Sequence, residues 1–86
     1  MSRQRSLETI QTARHVSIGE LVRLTGARYS TLKFYTEEGL LPFEQAEERL
    51  TRRYEREPTV RRLGLIRQLK AEGRTIPEIK DLSRNW

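Results

Sequence analysis

Ser17-Ile18-Gly19-Glu20-Leu21-Val22-Arg23-Leu24-Thr25-Gly26-Ala27-Arg28-Tyr29-Ser30-Thr31-Leu32-Lys33-Phe34-Tyr35-Thr36-Glu37-Glu38-Gly39 is the stretch that decides the fold. Ser17 and Glu20 have capping-box spacing: the hydroxyl can accept from the Glu20 N–H while the carboxylate reaches back to the Ser17 N–H. Ile18, Leu21 and Val22 then follow at the i, i+3, i+4 spacing of one helical face. Gly26 stops this helix after about two turns, as a residue free to take positive φ. A second helix is expected from about Arg28 to Glu38, with Gly39 as its stop. Leu32 and Tyr35 share its inner face, whereas Ser30, Lys33, Phe34 and Glu37 point elsewhere. Two short helices joined by a tight glycine-containing turn make a helix-turn-helix.

Working outward, Leu40-Leu41-Pro42 is apolar and ends in a helix blocker, and Leu50-Thr51-Arg52-Arg53-Tyr54 alternates with strand formers. Residues 40–42 and 51–54 are read as two short strands of a β-hairpin around an acidic loop. A hairpin directly after a helix-turn-helix is a wing. A third helix is expected from Pro58, a residue suited to a first helical position. It carries an apolar stripe of Val60, Leu63, Leu65, Ile66 and Leu69, interrupted by Gly64, whose missing side chain permits close helix contact. Gly73 ends it. Thr75-Ile76-Pro77-Glu78 is a second capping box, opening a short helix with Ile76, Ile79 and Leu82. Residues 1–16 read either as a basic, disordered arm or as a short helix capped by Ser6, with Leu7 and Ile10 on one face. The expected organisation is therefore an arm or short helix over 1–16 and one domain over 17–86. The fold class is mainly α: a winged helix-turn-helix with a small two-stranded β-hairpin wing and a C-terminal helix pair.

The composition fits a basic binding module. The 86 residues hold 17 Lys plus Arg against 12 Asp plus Glu, a net charge of +5, with no Cys. Disulfide scaffolds, thiolate metal sites and thiol catalysis are excluded. No apolar run is long enough to span a membrane, and none follows the basic start as a secretory signal would require. The charge is uneven. Residues 1–36 hold six bases and two acids; residues 37–48 hold five acids and no base; basic segments follow to the end. Catalysis is not expected, because one His, one Asp and no Cys leave little to build a site from. His15, just before the first helix of the pair, is read as exposed or capping. No cofactor or metal is expected.

The stretch Ile18-Gly19-Glu20-Leu21, Thr25-Gly26, Thr31-Leu32-Lys33-Phe34-Tyr35 and Glu38-Gly39-Leu40-Leu41-Pro42 resembles the opening motif of MerR-type transcription regulators. Arg52-Arg53-Tyr54 is similar to that family's wing motif of Arg, any residue, Tyr. Leu65 to Leu69 and Gly73 to Ile79 are similar to its following helix pair. The resemblance covers residues 16 to about 82. There are departures: Phe34 stands where the family usually has Tyr, and Thr51 where it has an aromatic residue. The larger members continue into a dimerisation helix and an effector domain, which this sequence does not reach. It is therefore more similar to short stand-alone members such as BldC-like regulators or phage excisionases, and no small-molecule effector is expected.

The resemblance implies double-stranded DNA as the partner, with helix 28–38 in the major groove and wing 40–54 on the backbone or minor groove. Arg28 can then donate to a guanine edge. Tyr29 stacks on a sugar, touches a thymine methyl or covers the core. Ser30, Thr31 and Lys33 lie along the same helix, Lys33 as a phosphate contact. Phe34 is expected to be exposed against DNA or a partner. Arg49, Arg52 and Arg53 serve the wing, and the Tyr54 hydroxyl either meets phosphate or packs the wing on the third helix. Arg3 and Arg5 reach the adjacent minor groove, or remain an unbound tail. The expected role is that of a bacterial, cytoplasmic, nucleoid-associated transcription regulator. The alternatives are an excisionase-like architectural factor in site-specific recombination and, from another class, a protein-interaction adaptor. Self-association or cooperative binding on repeated sites is also expected, with the acidic loop meeting the basic third helix of a neighbour.

Overall fold

The computed structural model describes residues 4–47 and 50–86. Arg3 and Arg49, two of the expected DNA contacts, lie outside the described residues. The elements run α1 (Leu7–Thr12), β1 (His15–Val16), α2 (Ile18–Thr25), α3 (Tyr29–Glu37), β2 (Tyr54–Glu55), α4 (Arg56–Ala71) and α5 (Ile76–Ser83). None of these helices is long and apolar enough to cross a membrane.

Local chemistry sets the helix ends. At α2, Ser17 Oγ accepts from the Glu20 N–H at 3.2 Å and Glu20 Oε1 accepts from the Ser17 N–H at 2.9 Å. Gly26, at φ +74°, closes α2 by donating its N–H to the Val22 carbonyl. Thr75 and Glu78 repeat the capping box at α5. The Glu78 carboxyl is held below its ordinary range, first by the Thr75 backbone N–H and then by the Thr75 hydroxyl. Ser6 caps α1 by accepting from the Thr9 N–H. Ile10 of α1 is fully buried, which ties this short helix to the core.

The core is one cluster. Ile10, Val16, Leu21, Ala27, Leu32, Tyr35, Leu40, Leu41, Tyr54, Leu63, Ile66 and Ile79 are all buried in it. Each fully buried Leu or Ile contributes about 1.5–3 kcal/mol through removal of its side chain from water. Every element except the outer wing loop supplies at least one of these residues, so the helix-turn-helix, β2 and the C-terminal helices form a single packed body.

The strands differ from the sequence expectation. Residues 40–42 are not a strand: Leu40 and Leu41 are consecutive and both buried, whereas a strand would send them to opposite faces. The Leu40 N–H instead donates to the Tyr35 carbonyl at 2.9 Å and finishes α3. The wing closes later, where Glu44 opposes Arg53 through two backbone hydrogen bonds of 2.7 and 2.9 Å. The two-stranded sheet joins β2 to β1, antiparallel, with His15 opposite Glu55 and Val16 opposite Tyr54. His15 is thus neither a cap nor an exposed loop residue.

Helix α4 also departs in detail. It starts at Arg56, two residues before Pro58, whose missing N–H costs nothing in a first turn. Its buried residues are Thr59, Leu63 and Ile66, with Leu69 packed beside them. Val60 and Leu65 are exposed, because they flank this i, i+4, i+7 row on opposite sides. A Cβ at Gly64 would meet no atom within 4 Å, so no helix approaches there. Leu82 of α5 is exposed as well.

Candidate nucleic-acid interface

Helix α3 buries Leu32, Tyr35 and Thr36 on one face. Its exposed surface presents Tyr29, 55% exposed, together with Ser30, Lys33 and Phe34; Arg28 is exposed at its N-cap, and Thr31 is half-buried. Ser30 and Phe34, four apart, lie opposite the buried row, while Tyr29 and Lys33 border it. Among the described residues, Arg28, Lys33 and Arg53 have no ion-pair partner. Their charges are therefore available to an external anion.

Phe34 is exposed, as expected, and its ring lies 5.9 Å from that of Tyr35. It borders an open depression with Glu38, Ile76, Pro77, Lys80, Asp81 and Arg84, so one edge of the aromatic is turned toward α5.

Arg52 ties the wing to α3 and to the wing's own aromatic residue. Arg52 Nη1 donates to Glu37 Oε1 at 3.0 Å, and the same guanidinium sits 4.6 Å from the centroid of the Phe43 ring. Glu37 is the first cause of a raised Arg52 pKa. Arg52 therefore fixes the wing against the C-terminal half of α3. Arg53, its neighbour on the chain, is exposed and faces the other way.

Two expected contacts are corrected. Tyr54 is 0% exposed, its hydroxyl lying 2.9 Å from Thr36 Oγ1 inside the core, so it cannot meet phosphate. It packs the wing strand onto α3, with the Phe43 ring 6.2 Å away. Arg5 is not a free arm. Its guanidinium donates twice to Glu20, at 2.7 and 2.6 Å, and once to the His15 carbonyl at 2.9 Å. Arg23 in turn donates to the Arg5 carbonyl. The Arg5 guanidinium beside it is the main reason the Glu20 carboxyl falls from 4.5 to about 2.

The acidic block is partly paired inside the molecule. Glu37 pairs with Arg52, Glu38 with Lys80 at 3.4 Å, and Glu44 lies 3.6 Å from His15. Two of the acids that the sequence groups together, Glu37 and Glu38, are thus neutralised within the chain. Sequence reading missed Thr36, Phe43 and Glu37 as the parts that seat the wing. A signal existed for Glu37 alone: an acid on the outer face of α3, followed by a base-rich wing strand.

A family model described as MerR HTH family regulatory protein matches residues 16–86. No curated protein and no solved structure matches the chain.

Proposed function

The chain belongs to the MerR helix-turn-helix family of regulatory proteins, and from that membership we propose that it is a sequence-specific double-stranded DNA-binding transcription regulator acting in the cytoplasm. The observation that carries this reading is the two-sidedness of α3. Leu32, Tyr35 and Thr36 are locked into the core, while Arg28, Tyr29, Ser30 and Lys33 are exposed to solvent, with both cations unpaired among the described residues. A helix of this size fits the B-DNA major groove, and its N-terminal residues reach base edges. Arg28 donates to a guanine, Tyr29 touches a sugar or thymine methyl, and Ser30 and Thr31 meet the flanking backbone. Lys33 and the wing residue Arg53 hold phosphates. Arg52 acts by positioning the wing. Residues 17–86 are the DNA-binding unit, and α1 braces it through Ile10 and the Arg5–Glu20 pair.

Duplexes selected by the protein from a random pool test the proposal. Fluorescence anisotropy should show Lys33→Glu losing about 1–3 kcal/mol of affinity for the selected duplex, the range of a charge-assisted contact. Arg28→Ala should lose a similar amount on the same duplex. Both side chains are exposed, so circular dichroism should be unchanged. Wild-type affinity in both variants would show that α3 does not face DNA.

A further inference from the structure

The three segments that meet at the base of the wing share one outer face. His15 and Glu55 are directly opposed across β1 and β2, so their side chains leave the sheet on the same side. Glu44 opposes Arg53, which lies two residues before Glu55 and so points the same way. Val16 and Tyr54, at the alternate positions, point into the core. Backbone register thus delivers one imidazole and two carboxylates to one place, and their donor atoms lie within 4.8 Å of one another.

The imidazole supplies an independent sign. His15 Nε2 is shielded from solvent yet has no hydrogen-bond partner among the described residues. It lies 3.6 Å from Glu44 Oε2, too far for a hydrogen bond. A shielded ring nitrogen aimed at a carboxylate, with a second carboxylate beside it, is a nitrogen-and-oxygen donor set. Such a set suits a divalent transition cation, and the imidazole disfavours magnesium or calcium, which prefer oxygen alone.

We propose that His15, Glu44 and Glu55 bind a zinc-type divalent cation, with water completing the coordination. Ligands at zinc–nitrogen and zinc–oxygen distances of about 2.0–2.2 Å lie roughly 3.4 Å apart in a tetrahedron. The His15–Glu44 separation already approaches that value. Both Glu side chains are substantially exposed and free to rotate the remaining distance. Two carboxylates and a neutral imidazole balance the charge of a dication. Arg14, 4.0 Å from Glu55, is itself mostly exposed and can yield; Arg53, on the same face, moderates the affinity. The bound ion joins the start of the wing loop to β1 and β2 on the outer face, opposite the side that Val16 and Tyr54 bury in the core.

His15 is the sole histidine and the chain has no cysteine, which makes the test clean. Zn²⁺ is titrated into the full chain without DNA, by calorimetry and by NMR of the His15 ring nitrogens. One ion should bind per chain, and the Nε2 resonance should shift at saturation. Glu44→Gln should weaken binding by about tenfold or more, since even outer-shell partners of metal ligands contribute that much. His15→Gln should abolish it, and circular dichroism of both variants checks the fold. Mg²⁺ should not compete. An unmoved Nε2 resonance at saturating Zn²⁺ overturns the proposal, as does undiminished affinity in Glu44→Gln. Neither result touches the DNA-binding reading, because no DNA is present.

Discussion

At the scale of single residues, Tyr54 separates a wing contact from a wing anchor. Its hydroxyl and Thr36 Oγ1 form a side-chain pair inside the core, while Thr36 also donates to the Leu32 carbonyl at 2.8 Å. Tyr54→Phe keeps the ring packing and removes one buried hydrogen bond. It should lower unfolding free energy by about 0.5–1.5 kcal/mol in urea titrations. DNA affinity measured under native conditions should stay at the wild-type level; a selective loss of affinity would put the hydroxyl back on the DNA. Glu20 gives a second residue-scale prediction. Its folded pKa, about 2, lies below the ordinary 4.5, first because Arg5 donates to it and then because the Ser17 N–H does. The folded state therefore binds fewer protons than the unfolded one. The stabilisation is complete above the unfolded value and is lost as pH falls through the folded value. Glu20→Gln keeps an acceptor for the cap but loses the charge. Its urea midpoint should be lower at neutral pH, and the gap to wild type should close as pH falls toward about 2. A constant gap across that range would mean that Arg5 and Glu20 do not interact in the folded state.

At the scale of elements, α4 contains a correctable weakness. Gly64 lies in its interior, and its φ is not among the positive ones, which belong to Gly26, Gly39 and Gly73. An added Cβ meets open space. Gly64→Ala should therefore stabilise the protein by about 0.4–1 kcal/mol through lost unfolded-state entropy. For a chain of this size that raises the melting temperature by about 4–8 °C per kcal/mol. A lower melting temperature would reveal a neighbour packed at Gly64. The same elements show what was legible in the sequence. Capping boxes at Ser17 and Thr75 and glycine stops at Gly26 and Gly39 are local, so α2, α3 and α5 could be read within a residue or two. The wing could not, because its seating is non-local. Tyr54 reaches Thr36 and Val16 across long stretches of chain, and Arg52 reaches Glu37. Alternation in residues 51–54 signals a strand but names no partner. For the same reason the face of α4 was drawn too broad: five apolar residues fit a stripe, and only the packing shows which row is used. Among the candidate DNA contacts, those on α3 follow from helical period. The roles of Arg5 and Tyr54 depend on distant partners: Arg5 is neither a minor-groove arm nor a free tail, and of the two alternatives for Tyr54 packing holds while the phosphate contact does not.

At the scale of the whole molecule, the net charge of +5 overstates some charges and hides others. Arg5, Arg52, Lys80, Arg74 and Arg84 are paired with acids of the same chain. Among the described residues Arg28, Lys33 and Arg53 are not, and these belong to the proposed interface. Binding should therefore release counterions in proportion to a small set of phosphate contacts rather than to total charge. Two such contacts, Lys33 and Arg53, give a log–log salt slope of about −1.8. Neutralising one phosphate contact reduces the magnitude by about 0.9, whatever the DNA sequence. Lys33→Gln should thus flatten the slope equally on selected and mixed-sequence duplexes. Arg28→Ala should behave differently. As a base-edge donor it should lose about 1–3 kcal/mol on the selected duplex and little on mixed DNA. Anisotropy titrations of both variants on both duplexes, at several salt concentrations, separate the roles. If Arg28→Ala lost affinity equally on both duplexes, Arg28 would be a phosphate contact. Sequence reading would then have to come from Tyr29, Ser30 and Thr31, or from the deformability of the DNA itself.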